Sequence, residues 1–330
     1  MSGSEDSRFL ELQARQSFDG DRCFLCGMAL TQETKTVEHV IPKWAQRRFK
    51  LGNKTLHLLN GTQIPYRKLV VPCCQHCNGT ALKPLEDQMS RAIAKGASAV
   101  RALSKATVYL WLSKLFYGLL HRELFLAADR TDPNARGISN PELLESRRVL
   151  YALLHATRVP VVLDPVPASI LAYDVQVPPA PEKQWDFRDS LATMFLALRV
   201  GRVGIVAVLG DGGAQQPIMD EIAQSLPRAL HPLQHIEVAA KAAYMASLLR
   251  QRPSYLVTET PDEIRVTEVA ISSGGSLFDI WDDRAFAETF SAFSGLPKET
   301  LYSPGELAYT FLREADGRAK TITLDDLPFS

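Results

Sequence analysis

The chain has 330 residues, 46% of them hydrophobic and 22% charged, and its 37 basic and 37 acidic side chains cancel. This is the composition of a globular protein able to bury a substantial core, at a length that accommodates two domains or one large domain with an added module. Zero net charge gives no sign of a polyanion partner, so such a partner has to be sought in how the charge is distributed.

Residues 1–21 are polar and mixed in charge and read as a short arm or helix. They lack the basic-then-apolar pattern of a secretory signal, which leads to the expectation of a cytoplasmic protein. Residues 22–90 form a small module. Gly27, Pro42, Gly52, Gly61, Pro65 and Pro72 punctuate it, favouring loops and short strands, and Lys68–Val71 is a short β-prone run.

Residues 91–330 make a larger region, helical at first and then mixed. The helical character begins at Leu85, within the small module, and over the stretch to Gly118 Met89, Ile93, Val100, Leu103 and Val108 recur at helix-like intervals. Ala106–Ala128 is the most apolar stretch, but Lys114, His121, Arg122 and Glu123 interrupt it. A bilayer span needs about 20 uninterrupted apolar residues, so the stretch reads as a buried helix with no membrane role, and Trp111, Phe116, Tyr117, Leu119 and Leu120 read as core. A turn-rich break over Asp129–Pro141 precedes an expected helix over Glu142–Thr157. Val203–Leu209 reads as a strand running into the turn Gly210-Asp-Gly-Gly213. Pro217–Ser225 and Glu237–Arg250 read as helices, and Tyr255–Thr258 with Ile264–Ala270 as a hairpin. Helices are expected near Arg284–Phe293 and Gly305–Arg313. The glycines at 201, 204, 210 and 213 fit neither GxGxxG nor GxxxxGK[ST] and read as turn residues. His231 and His235 are four apart, but Pro232 between them argues against a shared helical face. The fold class is α+β. Residues 91–330 are compatible with DNA binding, control by a small ligand, or oligomerisation.

Five cysteines occur, all in the small module. Cys23-x2-Cys26 and Cys74-x2-Cys77 share the spacing of zinc knuckles, and four thiolates satisfy a tetrahedral, closed, structural zinc site. Cys73 with Cys77 is the competing choice, and Cys74 is preferred because it repeats the spacing of the first pair. Between Glu38 and Glu86 the chain carries no acid, while Lys43, Arg47, Arg48, Lys50, Lys54, Arg67, Lys68 and Lys83 supply positive charge. Such a field attracts a phosphate backbone, with Arg47, Arg48, Lys50 and Lys68 as the candidate nucleic-acid contacts. Glu38-His39 stands within the module. A carboxylate suits a hard divalent ion, and a neutral imidazole suits general-base work on water.

The succession Cys23-x2-Cys26, Glu38-His39-Val40-Ile41-Pro42, Cys74-x2-Cys77-Asn78 resembles the zinc-stabilised branch of the HNH endonucleases, over about residues 22–85. The resemblance implies a ββα-metal core, hydrolysis of DNA phosphodiester bonds, structural zinc, and magnesium or manganese at the reacting centre. It makes His39 the general base, Glu38 and Asn78 the ligands of the catalytic ion, and Lys83 a phosphate contact. It also makes restriction, phage defence or a mobile element a plausible setting. One departure is that the family's middle Asn, which braces the base, has no counterpart in Arg67-Lys68-Leu69-Val70-Val71-Pro72. A non-catalytic zinc ribbon that binds nucleic acid is the alternative.

Overall fold

The computed structural model describes residues 20–327 except 59, 124–125, 133, 139–149, 151–156, 159–160, 261–262 and 270–274. The expected N-terminal arm, apart from Gly20 and Asp21, and nearly all of the expected helix over 142–157 lie outside the described residues. The protein is a mixed α+β chain that forms two compact units. One comprises Met1–Arg91, Ala106–Asp164 and Tyr255–Glu268; the other comprises Ala92–Lys105, Pro165–Ser254 and Val269–Ser330.

In the first unit, β1 (Lys35–His39) ends before Pro42, and α1 (Lys43–Arg48) follows. Arg47 and Arg48 fall in the last turn of α1, where positive charge suits the carbonyl end of a helix. Lys50 turns the chain in the left-handed region at φ 52°. β2 (Thr55–His57) and β3 (Gln63–Pro65) pair antiparallel, with Gly61 at φ 74° in their turn. The β-prone run begins two residues later than expected: Lys68 closes a 3-10 turn, and β4 is Val70–Cys74. β4 pairs antiparallel with β1, setting Glu38 opposite Val71 and His39 opposite Val70. A π-helical stretch over Cys77–Leu82 then leads into α2 (Lys83–Lys95).

After α3 (Ala97–Arg101) comes α4 (Lys105–Glu123), most of which is buried. Trp111, Phe116, Tyr117, Leu119 and Leu120 are core, as their apolar run suggested. Gly118 lets α4 approach the chain just after β1, because a Cβ there would sit 3.1 Å from Val40 Cγ2. β5 (Val161–Asp164) joins a three-stranded sheet with two later strands.

The second unit is built on an antiparallel sheet of β6 (Ala168–Asp174), β7 (Trp185–Ser190), β8 (Phe195–Val200) and β9 (Val203–Leu209), in the order β6-β9-β8-β7. β8 and β9 are buried along their whole length, which accounts for their apolar sequences, interrupted only by Arg199 in β8. α5 (Gln216–Ser225) and α6 (Pro232–Leu248) pack on the sheet over a core that includes Leu171, Phe195, Val206 and Val238. Gly204 is a strand residue and not the expected turn: a Cβ there would lie 2.6 Å from Tyr173, whose hydroxyl bonds His235 Nδ1 at 2.8 Å. Pro232 does not separate two helical segments. It opens α6 at the first position, where no amide bond is lost, and His231 caps the helix by accepting from Leu233 N.

β10 (Ser254–Glu259) and β11 (Ile264–Val269) lie side by side, and β11 runs parallel to β5. α7 (Asp283–Ser294) and the short α8 (Lys298–Leu301) pack on α6 around Phe286, Phe290 and Leu301. The expected helix over Gly305–Arg313 is irregular chain. Its polar groups go elsewhere, with Thr310 Oγ1 and Phe311 N donating to the buried Glu237 carboxylate at 2.5 and 2.6 Å. Among the described residues no helix is long and apolar enough to cross a membrane.

Candidate metal centre and adjoining cleft

The first cysteine pair sits in a tight loop. Gly27, at φ 68°, donates its amide to Cys23 O, and Phe24 N donates to Pro72 O, which ties the loop to β4. The second pair straddles the end of β4, where the Cys77 amide donates to Cys74 Sγ at 3.4 Å. The sulfurs of Cys23, Cys26, Cys74 and Cys77 all lie within 4.8 Å of one another, and Cys26 Sγ is 3.9 Å from Cys74 Sγ. Tetrahedral zinc with Zn–S near 2.3 Å holds its sulfurs about 3.8 Å apart, so the four fit such an ion. Cys73 is also buried and 3.9 Å from Cys23 Sγ, but it is not one of the four. Hydrogen bonds with Cys26, Cys73, Cys74 and Cys77 push the Cys23 thiol far below its ordinary value, while those with Cys23, Cys26 and Cys74 push Cys77 far above it. One charge in so small a space opposes the next, and a cation relieves that conflict.

Beside this cluster lies a cleft of about 440 Å³ whose lining includes Glu38, His39 and Asn78. The structure thus brings together three residues that the sequence placed at a reacting centre. Asn78 Nδ2 donates to Thr36 Oγ1 and to Val37 O, both at 3.1 Å. With its amide donors committed to β1, the oxygen Oδ1 is the atom left for a cation. Glu38 and His39 are neighbours on one strand, yet both line the cleft, because the strand ends at His39.

Four residues that the motif did not indicate hold the lining in place: Trp44 and Glu86 within it, Lys114 and Gln46 behind it. Lys114 of α4 is buried, and its ammonium lies 2.5 Å from Glu38 Oε1 and 3.0 Å from Glu86 Oε1. It also donates to His39 O at 2.7 Å and Val40 O at 3.3 Å, so it fixes the backbone at the end of β1. Burial works against the Lys114 charge, but Glu38 and Glu86 outweigh it and hold the pKa above the ordinary lysine value. Trp44 Nε1 occupies the other oxygen of Glu86 at 2.9 Å. Gln46, buried in α1, donates from Nε2 to Ile41 O at 2.7 Å and places the same nitrogen 3.3 Å from His39 Nδ1. Burial, then Lys43 and Lys114, lower the His39 pKa to about 4, so the imidazole is neutral at physiological pH.

The candidate phosphate contacts are dispersed. Arg47 and Lys83 line the cleft together with Lys43, while Arg48, Lys50 and Lys68 are exposed outside its lining. Arg48 lies over the Phe49 ring, and Lys83 pairs with Asp87 at 2.8 Å one helical turn on. The sequence offered one clue to Lys114: a lone cation in an apolar helix has to find its partner elsewhere in the fold. Gln46 carried no such signal.

No protein-family model, curated protein or solved structure matches this chain.

Proposed function

We propose that the protein is a metal-dependent endonuclease of the HNH type that hydrolyses DNA. The observation that carries this reading is the convergence of Glu38, His39 and Asn78 on one cleft beside a four-cysteine cluster. β1, β4 and the helical segment from Cys77 onward fit the two strands and helix of a ββα-metal core. Zinc at the four cysteines would be structural, since a closed thiolate site leaves no open position.

Glu38 and Asn78 would hold a magnesium or manganese ion through the carboxylate and Oδ1. That ion would supply charge neutralisation at the scissile phosphate. Lys114 orients the Glu38 carboxylate by taking Oε1, which leaves Oε2 for the ion. His39, uncharged, accepts the proton of the attacking water. Lys43 and Arg47 at the cleft draw the phosphate backbone toward it. The test is plasmid cleavage with magnesium or manganese, comparing the wild type with His39→Ala. Loss of cleavage with retained DNA binding is the expected result.

A non-catalytic zinc-bound nucleic-acid module is the second reading, and one contact favours it. If Gln46 donates to His39 Nδ1, the ring proton sits on Nε2, and neither nitrogen is free to act as a base. Catalysis then requires Gln46 to turn and accept from Nδ1–H. A folded, zinc-loaded, DNA-binding protein that cuts no substrate with any divalent ion would establish this second reading.

A further inference from the structure

Helix α1 brings an aromatic side chain and two cations to the cleft. Lys43 and Arg47 stand one helical turn apart with Trp44 next to Lys43, and all three line the cleft, while Ala45 and Gln46 are buried. Trp44 is itself only partly buried. Its indole is held by a residue of α2, since Nε1 donates to Glu86 Oε2 at 2.9 Å. Glu86 Oε1 in turn meets the buried Lys114 ammonium at 3.0 Å, and that ammonium meets Glu38 Oε1 at 2.5 Å. Three consecutive polar contacts therefore fix the indole relative to the carboxylate proposed as a metal ligand.

The bond to Glu86 also decides what the indole can offer a ligand. Its one donor is committed, so it cannot read the edge of a base by hydrogen bonding. What remains is the ring, and every base has a π-face that stacks on an aromatic ring. The space is there: a cleft of about 440 Å³ is of the size that takes an organic ligand, more than a phosphate and an ion need, and Val37 and Pro42 add apolar surface to its lining. Bases inside a continuous duplex are stacked on one another, so a fixed ring meets only a base that is unpaired or turned out.

We propose that Trp44 is a stacking platform for an unpaired base next to the phosphate that the cleft receives, and that the preferred substrate is single-stranded or locally opened DNA. Lys43 and Arg47, on the same helix, supply the charge that holds its backbone. The proposal rests on the nuclease reading for the identity of the polymer, but the contact itself is tested without cleavage.

Binding is measured on the zinc-loaded, full-length protein without added divalent ion. The probes are a thymidine single strand of about 12 nucleotides, an abasic strand of the same length and charge, and the corresponding duplex. The thymidine strand binds about tenfold more tightly than either of the others and quenches tryptophan fluorescence, a change that the buried Trp111 and Trp185 do not supply. Trp44→Leu binds the thymidine and abasic strands alike and loses the quenching, whereas Trp44→Phe keeps part of the preference. If Trp44→Leu fails to fold, photocrosslinking of the wild type to a 5-iododeoxyuridine strand decides, with the adduct on the peptide that carries Trp44. The proposal is overturned if the wild type binds the thymidine and abasic strands equally, if the duplex binds as tightly as the single strand, if folded Trp44→Leu keeps the preference, or if the adduct maps elsewhere. Cleavage is scored separately. Base stacking on Trp44 with no cleavage under any divalent ion removes the nuclease reading and keeps this one, and cleavage of duplex without base stacking does the reverse.

Discussion

The Lys114 ammonium and the Glu38 carboxylate lie 2.5 Å apart, both buried, although they come from distant parts of the chain. The carboxylate proposed as a metal ligand is thus also half of an internal ion pair, with Glu86 as a second acid on the same cation.

Removing that cation leaves two acids facing each other in a buried site. Lys114→Met is expected to destabilise the first unit by about 3–5 kcal/mol. Lys83→Ala, which removes a pair open to solvent, is expected to cost no more than about 1 kcal/mol. Urea denaturation checks both, and equal midpoints for the two variants would mean that the buried pair does not hold the floor together.

The cysteine geometry predicts one tightly held zinc per chain. Cys26→Ser and Cys77→Ser lose the ion and loosen the first unit, whereas Cys73→Ser keeps it. Elemental analysis of freshly purified, reduced protein decides this, and full loss of zinc in Cys73→Ser would exchange the roles of Cys73 and Cys74.

On the proposed chemistry, His39→Ala lowers cleavage about 100-fold or more while leaving zinc content and DNA binding unchanged. Glu38→Ala and Asn78→Ala weaken the activating ion, so part of their activity returns at high manganese. Single-turnover rates against metal concentration separate the two patterns, and metal rescue of His39→Ala would assign the base elsewhere.

The cleft position of Lys43 and Arg47 predicts that neutralising this pair reduces both DNA affinity and its salt slope more than neutralising Arg48 and Lys68. Binding isotherms at several salt concentrations provide the measurement. Identical slopes for the two double variants would remove the cleft from the path of the backbone.

His235 predicts a pH dependence of stability in the second unit. Burial comes first in lowering its pKa to about 3; Asp186 opposes the shift, and Arg199 and Arg188 assist it. Unfolded histidine takes up its proton near pH 6.5, so below that value the unfolded chain binds a proton that the folded chain refuses. Stability from this residue is complete above pH 6.5 and falls as the pH drops toward 3, by on the order of 1 kcal/mol per pH unit. Urea midpoints from pH 7 to pH 5 should fall less steeply in His235→Asn than in wild type.

The sequence disclosed the elements whose signals are local. CxxC spacing, a proline after a short strand, and the apolar run around Trp111 each carry their meaning within a few residues. Lys114 was legible only as an interruption of that run, because its partners Glu38 and Glu86 are brought to it by the fold. Gln46 is one of many polar residues in a basic stretch, and only the turn after Pro42 aims it at His39. Gly305–Arg313 failed for a similar reason: its tendency to form a helix yields to the buried Glu237 carboxylate, which takes the hydrogen bonds of Thr310 and Phe311.

Gly118 shapes how this chain can be divided. Because α4 meets Val40 at that glycine and sends Lys114 beneath the cleft, the cysteine-bearing segment is not a detachable cassette. A fragment cut near residue 90 would carry every residue of the motif into solution with the Glu38 carboxylate stripped of its counter-ion. Transplanting this cleft into another protein would therefore require carrying the helix over residues 105–123 with it.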